Sequence, residues 1–120
     1  MSPTLRTTAL AALVLALAGC ATAPAGGALA VGTQATVDGR VRSVDLRRAE
    51  DDGNATVVVT TPDGDVRVQL PARWNLCKAA PVEGVQGFAA GDRVRATGTV
   101  NAPGEITVCE RAEHRLVRLP

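Results

Sequence analysis

Residues Val37–Leu46, VDGRVRSVDL, alternate apolar and polar side chains and then break the alternation. The apolar positions are odd-numbered up to Val41 and even-numbered from Val44 onward. A period of two indicates a half-buried β-strand, and a one-residue slip turns every later side chain to the opposite face. A β-bulge, one extra residue in the strand, absorbs such a slip. The pattern therefore predicts a first strand that bends at a bulge near Arg42-Ser43.

The chain after this strand predicts four further strands. Thr61-Pro62-Asp63-Gly64 joins the second and third strands in a hairpin, because proline pre-sets φ and glycine adopts the left-handed conformation. Residues Ala72–Ala80 predict one or two helical turns, which Pro81 ends. The four strands are predicted at Ala55–Thr60, Asp65–Leu70, Gly91–Val100 and Glu105–Ala112, and Leu116–Leu119 extends or follows the last of them.

This arrangement resembles the OB-fold, a five-stranded, partly open Greek-key barrel. The resemblance is carried by the bent first strand at Gly39–Val44, the helical insert after the third strand, and a fourth strand that begins Gly91-Asp92-Arg93-Val94 and contains Gly98. It implies an all-β domain over residues 33–120, a small OB-like barrel with one short helix between strands 3 and 4. A small β-sandwich or another five- to six-stranded barrel fits the same composition.

A leader precedes this domain. Met1–Thr8 carries one positive charge and no acid, and Ala9–Ala18 is an unbroken run of Ala, Leu and Val. The run is too short for a membrane span, which needs about 20 residues, and fits a secretory signal. At its end, Leu17-Ala18-Gly19-Cys20 resembles the lipobox of a bacterial lipoprotein. The resemblance implies a signal peptide over residues 1–19 and lipidation of Cys20, which becomes the first mature residue.

The same resemblance implies a location. Ala21 follows the cysteine, where lipoproteins retained in the inner membrane usually carry aspartate. We therefore expect a protein of the cell envelope, anchored in the outer membrane and facing the periplasm. Two or more acyl chains give stable anchoring, whereas one binds a bilayer only reversibly. Residues 20–32 are mostly Ala, Gly, Thr and Pro and predict a flexible tether.

Charge and aromatic content exclude the partners that an OB-fold most readily suggests. Arg6 belongs to the leader, so the remaining Lys and Arg balance the 12 Asp and Glu. Proteins that bind nucleic acid rely on excess positive charge and on aromatic side chains that stack with the bases. The two aromatic residues, Trp74 and Phe88, lie on no predicted strand. We therefore expect no nucleic-acid partner.

Cleavage also changes the cysteine count. The chain has three cysteines, and lipidation of Cys20 leaves Cys77 and Cys109 as a pair in an oxidising compartment. We predict a disulfide between them. Cys109 is out of phase with Val108, so it points away from the barrel core, where Ala72–Ala80 can pack over it. A redox-active thiol pair is disfavoured because the two cysteines lie in unrelated elements and form no Cys-x-x-Cys motif.

The candidate ligand surface follows from the resemblance. OB-folds bind mainly on the face of the second and third strands and on the loops joining strands one to two and four to five, which here implies Arg67 and Gln69. If strands one and four are neighbours, outward arginines form a cationic stripe for an anionic glycan or lipid. The alternative is a solvated face whose arginines pair with adjacent acids. The residues of the predicted stripe are Arg40, Arg42, Arg93 and Arg95.

Other chemistry finds little support. His114 with the two cysteines matches no common zinc spacing, and an exposed histidine at a strand end is the simpler interpretation, so we expect no metal or other cofactor. No serine or threonine lies in a nucleophile-elbow pattern, and the acids cluster in turns, so no catalytic residue is predicted. A lone tryptophan on a short helix favours a role for Trp74 as a cap over the end of the barrel rather than as a ligand platform.

These observations together predict a lipid-anchored envelope module that binds a ligand or acts as an adaptor, without catalytic activity. Its partners would be the membrane, through Cys20, and an envelope protein or an anionic glycan or lipid. The alternative is a structural envelope protein that pairs with a partner through a sheet edge. A ligand binder should have a concave pocket at the second and third strands, whereas an adaptor should have an exposed apolar edge or patch.

Overall fold

Six strands and three 3-10 helices make up residues 29–120, the part of the chain that the computed structural model describes. The strands are β1 (Gln34–Asp45), β2 (Asn54–Thr61), β3 (Gly64–Pro71), β4 (Arg93–Ala102), β5 (Glu105–Thr107) and β6 (Arg115–Arg118). The 3-10 helices are Arg47–Asp51, Trp74–Leu76 and Val85–Gly87. The predicted signal peptide, Cys20 and most of the predicted tether lie outside the described residues.

Five of the strands close into a barrel. Neighbouring strands pair in the order β1-β2-β3-β5-β4, and β4 pairs back onto β1. The β3–β5 pair is parallel and the others are antiparallel. The extra strand β6 adds to the first half of β4, whereas β5 pairs with its second half. The prediction of an all-β barrel is confirmed, with β6 as a sixth strand outside the closed ring.

The bend in β1 lets one strand serve two neighbours. Its first part, from Gln34 to Arg40, pairs with β4, and its second part, from Arg40 to Asp45, pairs with β2. The register with β2 shifts after Val41, so that Arg42 is the extra residue. The predicted bulge is therefore confirmed, and it is the point where the strand leaves β4 and turns around the barrel.

The barrel interior follows the predicted alternation. In β2 and β3 every second residue is buried, and the bulge brings Val44 and Leu46 back to the inner side after Val41. Half of the buried side chains are valines, whose stiffness at χ1 suits a pleated surface. The largest fully buried apolar side chains are Val57, Val59, Val68, Val94, Val100 and Ile106.

The connection from β3 to β4 differs from the prediction. It contains two 3-10 helices of three residues each, so the single short helix expected within Ala72–Ala80 is not confirmed. Prolines and glycines punctuate this segment and prevent a longer run of helical hydrogen bonds. Phe88 anchors this segment by packing against the core, and the Arg118 guanidinium lies 5.1 Å from its ring centre.

The fifth strand is shorter than predicted. β5 ends at Thr107 rather than at Ala112. The carbonyl of Cys109 accepts hydrogen bonds from the amides of Lys78 and Ala79, at 2.9 and 3.0 Å, so the chain here pairs with the β3–β4 connection instead of with a strand. The chain then turns back and forms β6 against β4.

The barrel's contacts begin before the predicted boundary at residue 33. Leu29 packs against the core, and the Gly32 amide donates to the Val100 carbonyl at 2.8 Å. Within residues 29–120, no helix has the length and hydropathy that crossing a membrane requires.

Candidate ligand-binding pocket

An apolar cavity of about 510 Å³ opens at one end of the barrel. It lies where β2 begins and β3 ends, and residues just beyond β1 and β5 complete its floor. The β3–β4 connection forms the opposite wall. The floor residues are Leu46, Ala55, Leu70 and Val108, and the wall residues include Trp74, Cys77, Ala79, Pro81, Val82 and Val85.

The floor of this cavity is the outermost layer of the barrel core. Ala55, Leu70 and Val108 are all buried, and they belong to three different strand ends. Because the barrel ends here, these side chains have neighbours on the barrel side and only the β3–β4 connection on the other. The cavity is the space that this connection leaves uncovered.

One large aromatic side chain stands at the mouth. Trp74 keeps 54 % of its surface exposed, and Leu76, which is not part of the lining, keeps 72 %. Trp74 lines the cavity but does not seal it, so its position differs from that of the buried cap expected from the sequence. A tryptophan exposed beside an apolar hollow indicates a surface that a ligand or partner covers.

The predicted disulfide is present and forms part of the cavity wall. Cys77 and Cys109 are bonded to each other, and Cys77 follows the Trp74–Leu76 helix directly. Together with the backbone hydrogen bonds from Lys78 and Ala79 to Cys109, the disulfide fixes the wall to the barrel. The mouth of the cavity is therefore held by a covalent link rather than by packing alone.

The predicted arginine stripe is only partly a free cationic surface. β1 and β4 are neighbours, as the stripe requires, but Arg95 forms a bidentate pair with Asp38, at 2.7 and 2.8 Å. Hydrogen bonding from Arg95 lowers the pKa of Asp38 despite a small opposing effect of desolvation. The Arg42 side chain pairs with Asp65, and the Thr60 hydroxyl and Arg42 both lower the pKa of that carboxyl.

The remaining residues of the predicted anion face are also engaged. Arg67 lies 3.3 Å from Glu105, and the side-chain amide oxygen of Gln69 accepts from the Thr56 hydroxyl at 3.0 Å. Arg40 and Arg93 are directly opposite each other on β1 and β4, and each donates to a backbone carbonyl, at 3.0 and 3.3 Å. Within residues 29–120 neither of these two has a carboxylate partner. The six residues thus lie on the outer surface of β1, β3 and β4, of which only β1 and β4 are neighbours, and three of them are paired with acids.

The expectation of an exposed histidine is wrong. His114 is only 2 % exposed; its Nδ1 accepts from the Cys109 amide at 3.3 Å, and its Nε2 lies 3.2 Å from the Gln34 side-chain oxygen. These two contacts satisfy both ring nitrogens of a neutral imidazole with the proton on Nε2. The histidine therefore stabilises the turn before β6. The described residues contain no group of three His, Cys, Asp or Glu side chains placed to hold a metal ion.

Sequence reasoning placed the ligand surface on the outer face of the second and third strands and did not identify the cavity at their ends. The available signal was Trp74, a large aromatic side chain in a short segment with little else to bury. Its position at the barrel end depends on the disulfide and on contacts distant in sequence. Comparison of the sequence with protein-family models and with curated proteins gives no match.

Proposed function

We propose that this protein is a lipid-anchored binding module of the cell envelope, without catalytic activity, and that the cavity at the barrel end is its ligand site. The observation that carries the proposal is an apolar cavity whose mouth bears the single tryptophan of the chain, more than half exposed. Small-molecule sites are typically concave, mostly apolar and about 300–1,000 Å³ in volume.

We also propose that the barrel is of the OB type. The strand order β1-β2-β3-β5-β4, the return of β4 onto β1 and the bend in β1 at the bulge support this assignment. An OB-type barrel is compatible with many functions, so the site carries the functional proposal and the fold does not.

The lipobox resemblance supports an anchor at Cys20, and the cavity is suited to a ligand found near a membrane. Burial of an apolar surface contributes about 25 cal/mol per Å², so a short hydrocarbon chain inserted among these side chains gains several kcal/mol before the costs of association. A protein held at the membrane surface by its own lipid meets such molecules at high local concentration.

Trp74 provides the test, since the emission of the only tryptophan responds directly to occupancy of the cavity. We expect octyl glucoside, titrated below its critical micelle concentration into residues 20–120 with serine at position 20, to shift the Trp74 emission to shorter wavelength and to saturate. Ala49 lines the cavity, so Ala49→Phe should fill it and weaken binding, whereas Ala112→Phe, on an exposed turn elsewhere, should not. A titration without saturation, or equal binding by both variants, would refute the site.

A further inference from the structure

The cavity carries one formal charge. Among its lining residues, Glu50 is the only one with a charged side chain, and Gln86 is the only one with an amide side chain. Glu50 lies on the 3-10 helix Arg47–Asp51, beside Ala49, which also lines the cavity. It also borders the shallow hollow next to the mouth, together with Leu46 and Gln86. A ligand that enters this site therefore meets a negative group at its edge.

The cations nearest in sequence do not offset this charge inside the cavity. Arg47 forms a bidentate pair with Asp45, and Arg73 lies 3.3 Å from Asp52. Arg48 is exposed and does not line the cavity, and Lys78 borders a separate hollow. A ligand carboxylate or phosphate would thus meet Glu50 with no cation lining the site to pair with it.

Trp74 adds to the same preference. The face of an indole ring attracts cations, and a cation beside both an aromatic face and a carboxylate gains from each. Like charges at short range are unfavourable, and because Glu50 is exposed to solvent the effect is modest. The charge and the aromatic group on this rim both favour a positive ligand head and disfavour a negative one.

We infer that the cavity binds amphiphiles that combine an apolar tail with an ammonium head group, the tail lying among the apolar side chains and the head beside Glu50 and Trp74. This inference rests on the proposed function, because it names the ligand class of the same site. It also separates the cavity from the outer surface that carries the predicted arginine stripe.

Three amphiphiles with the same tail test the inference. Octyltrimethylammonium, octyl glucoside and octanoate, each below its critical micelle concentration at neutral pH, are titrated while Trp74 emission is followed. We expect octyltrimethylammonium to bind about three- to tenfold more tightly than octyl glucoside, as one partly exposed charge pair with a cation–π contact predicts, and octanoate to bind most weakly.

Glu50→Gln should weaken this preference and leave only the part that Trp74 contributes. The matched control is Glu113→Gln, an exposed glutamate outside the cavity, which should retain the full preference. Equal binding of all three amphiphiles, a preference for octanoate, or a preference as strong in Glu50→Gln as in the wild type would overturn the inference while the proposed site stands. Failure of all three to bind would refute both.

Discussion

Two glycines allow strands to cross at close range in the barrel. A Cβ atom at Gly98 would collide with the Thr107 backbone carbonyl and with the Ile106 side chain, and one at Gly39 would collide with the Thr60 carbonyl and the Val59 side chain. Gly98 lies where β4 passes from its pairing with β6 to its pairing with β5, and Gly39 precedes the bulge in β1. Both glycines lie next to a point at which their strand changes its pairing partner.

We expect Gly98→Ala to destabilise the barrel by about 1–3 kcal/mol, the usual cost of overpacking a closely packed interior. Urea denaturation followed by Trp74 emission measures the change. Gly87→Ala is the control, because its Cβ would meet nothing closer than the Arg118 guanidinium at 3.9 Å. A Gly98→Ala variant as stable as Gly87→Ala would contradict this packing argument.

Exposed carboxylates make the stability depend on pH in the acid range. Hydrogen bonds from the Arg47 side chain and amide lower the pKa of Asp45 from 3.8 to about 2, and Arg95 lowers the pKa of Asp38. A depressed folded-state pKa means that the unfolded state binds the proton more readily. Each ion pair therefore contributes fully to the free energy of unfolding above the unfolded-state pKa of its carboxyl. This contribution is lost as the pH falls through the folded-state pKa.

The urea concentration at the unfolding midpoint should therefore fall as the pH is lowered from about 4 to about 2. Asp45→Asn should make this dependence of the midpoint on pH less steep. Both groups are solvent-exposed, so the effect is small and should be screened by salt. Asp63→Asn is the control, because Asp63 makes no side-chain ion pair within residues 29–120. A slope in Asp45→Asn equal to that of the wild type would show that Arg47 does not stabilise the ionised form.

At the scale of elements, the β3–β4 connection has little regular structure and forms one wall of the site. It has only two three-residue 3-10 helices, and it is attached to the barrel by apolar packing of Ala79, Val82, Val85 and Phe88, by the disulfide and by the two hydrogen bonds to the Cys109 carbonyl. A segment with so little internal structure is ordered by what it contacts.

Replacing both bonded cysteines by serine should therefore affect the barrel and the pocket together. The disulfide closes a loop with a sequence separation of 32 residues, for which the chain-entropy relation gives about 4 kcal/mol as an upper figure. We expect the double variant Cys77→Ser, Cys109→Ser to unfold at lower urea concentration and to bind octyl glucoside more weakly. Unchanged binding in a folded double variant would show that the wall is held without the disulfide.

At the scale of the whole molecule, the folded domain is electrically balanced. All 12 acidic side chains and 12 of the 13 basic side chains lie within residues 29–120, and six ion pairs join many of them across the described surface. Little long-range field remains to attract a polyanion. Recruitment to the membrane would then depend on the lipid at Cys20 and not on surface charge.

Cys20→Ser tests that proposal in bacteria that process lipoproteins. The variant should fold, form the Cys77–Cys109 disulfide and appear in the soluble periplasmic fraction, because it lacks the thiol that carries the lipid. Wild type should fractionate with the outer membrane, and Ala21→Asp should move it to the inner membrane. A Cys20→Ser variant that still sediments with membranes would contradict the lipobox assignment.

The sequence by itself determined the features that depend on neighbouring residues. The alternation and its slip predicted the bend and bulge of β1, the Thr61–Gly64 turn predicted the β2–β3 hairpin, and the even cysteine pair predicted the disulfide. Each of these follows from backbone periodicity, turn stereochemistry or simple counting, which act over short distances.

The tertiary structure decided what depends on residues far apart in the chain. It paired three of the predicted arginines with Asp38, Asp65 and Glu105, and it buried His114 against Gln34. It also ended β5 at Thr107, ahead of a separate strand β6, and left a cavity between the strand ends and the β3–β4 connection. No local pattern specifies these outcomes, because they are set by which surfaces barrel closure brings together. The site therefore became visible only in the folded barrel.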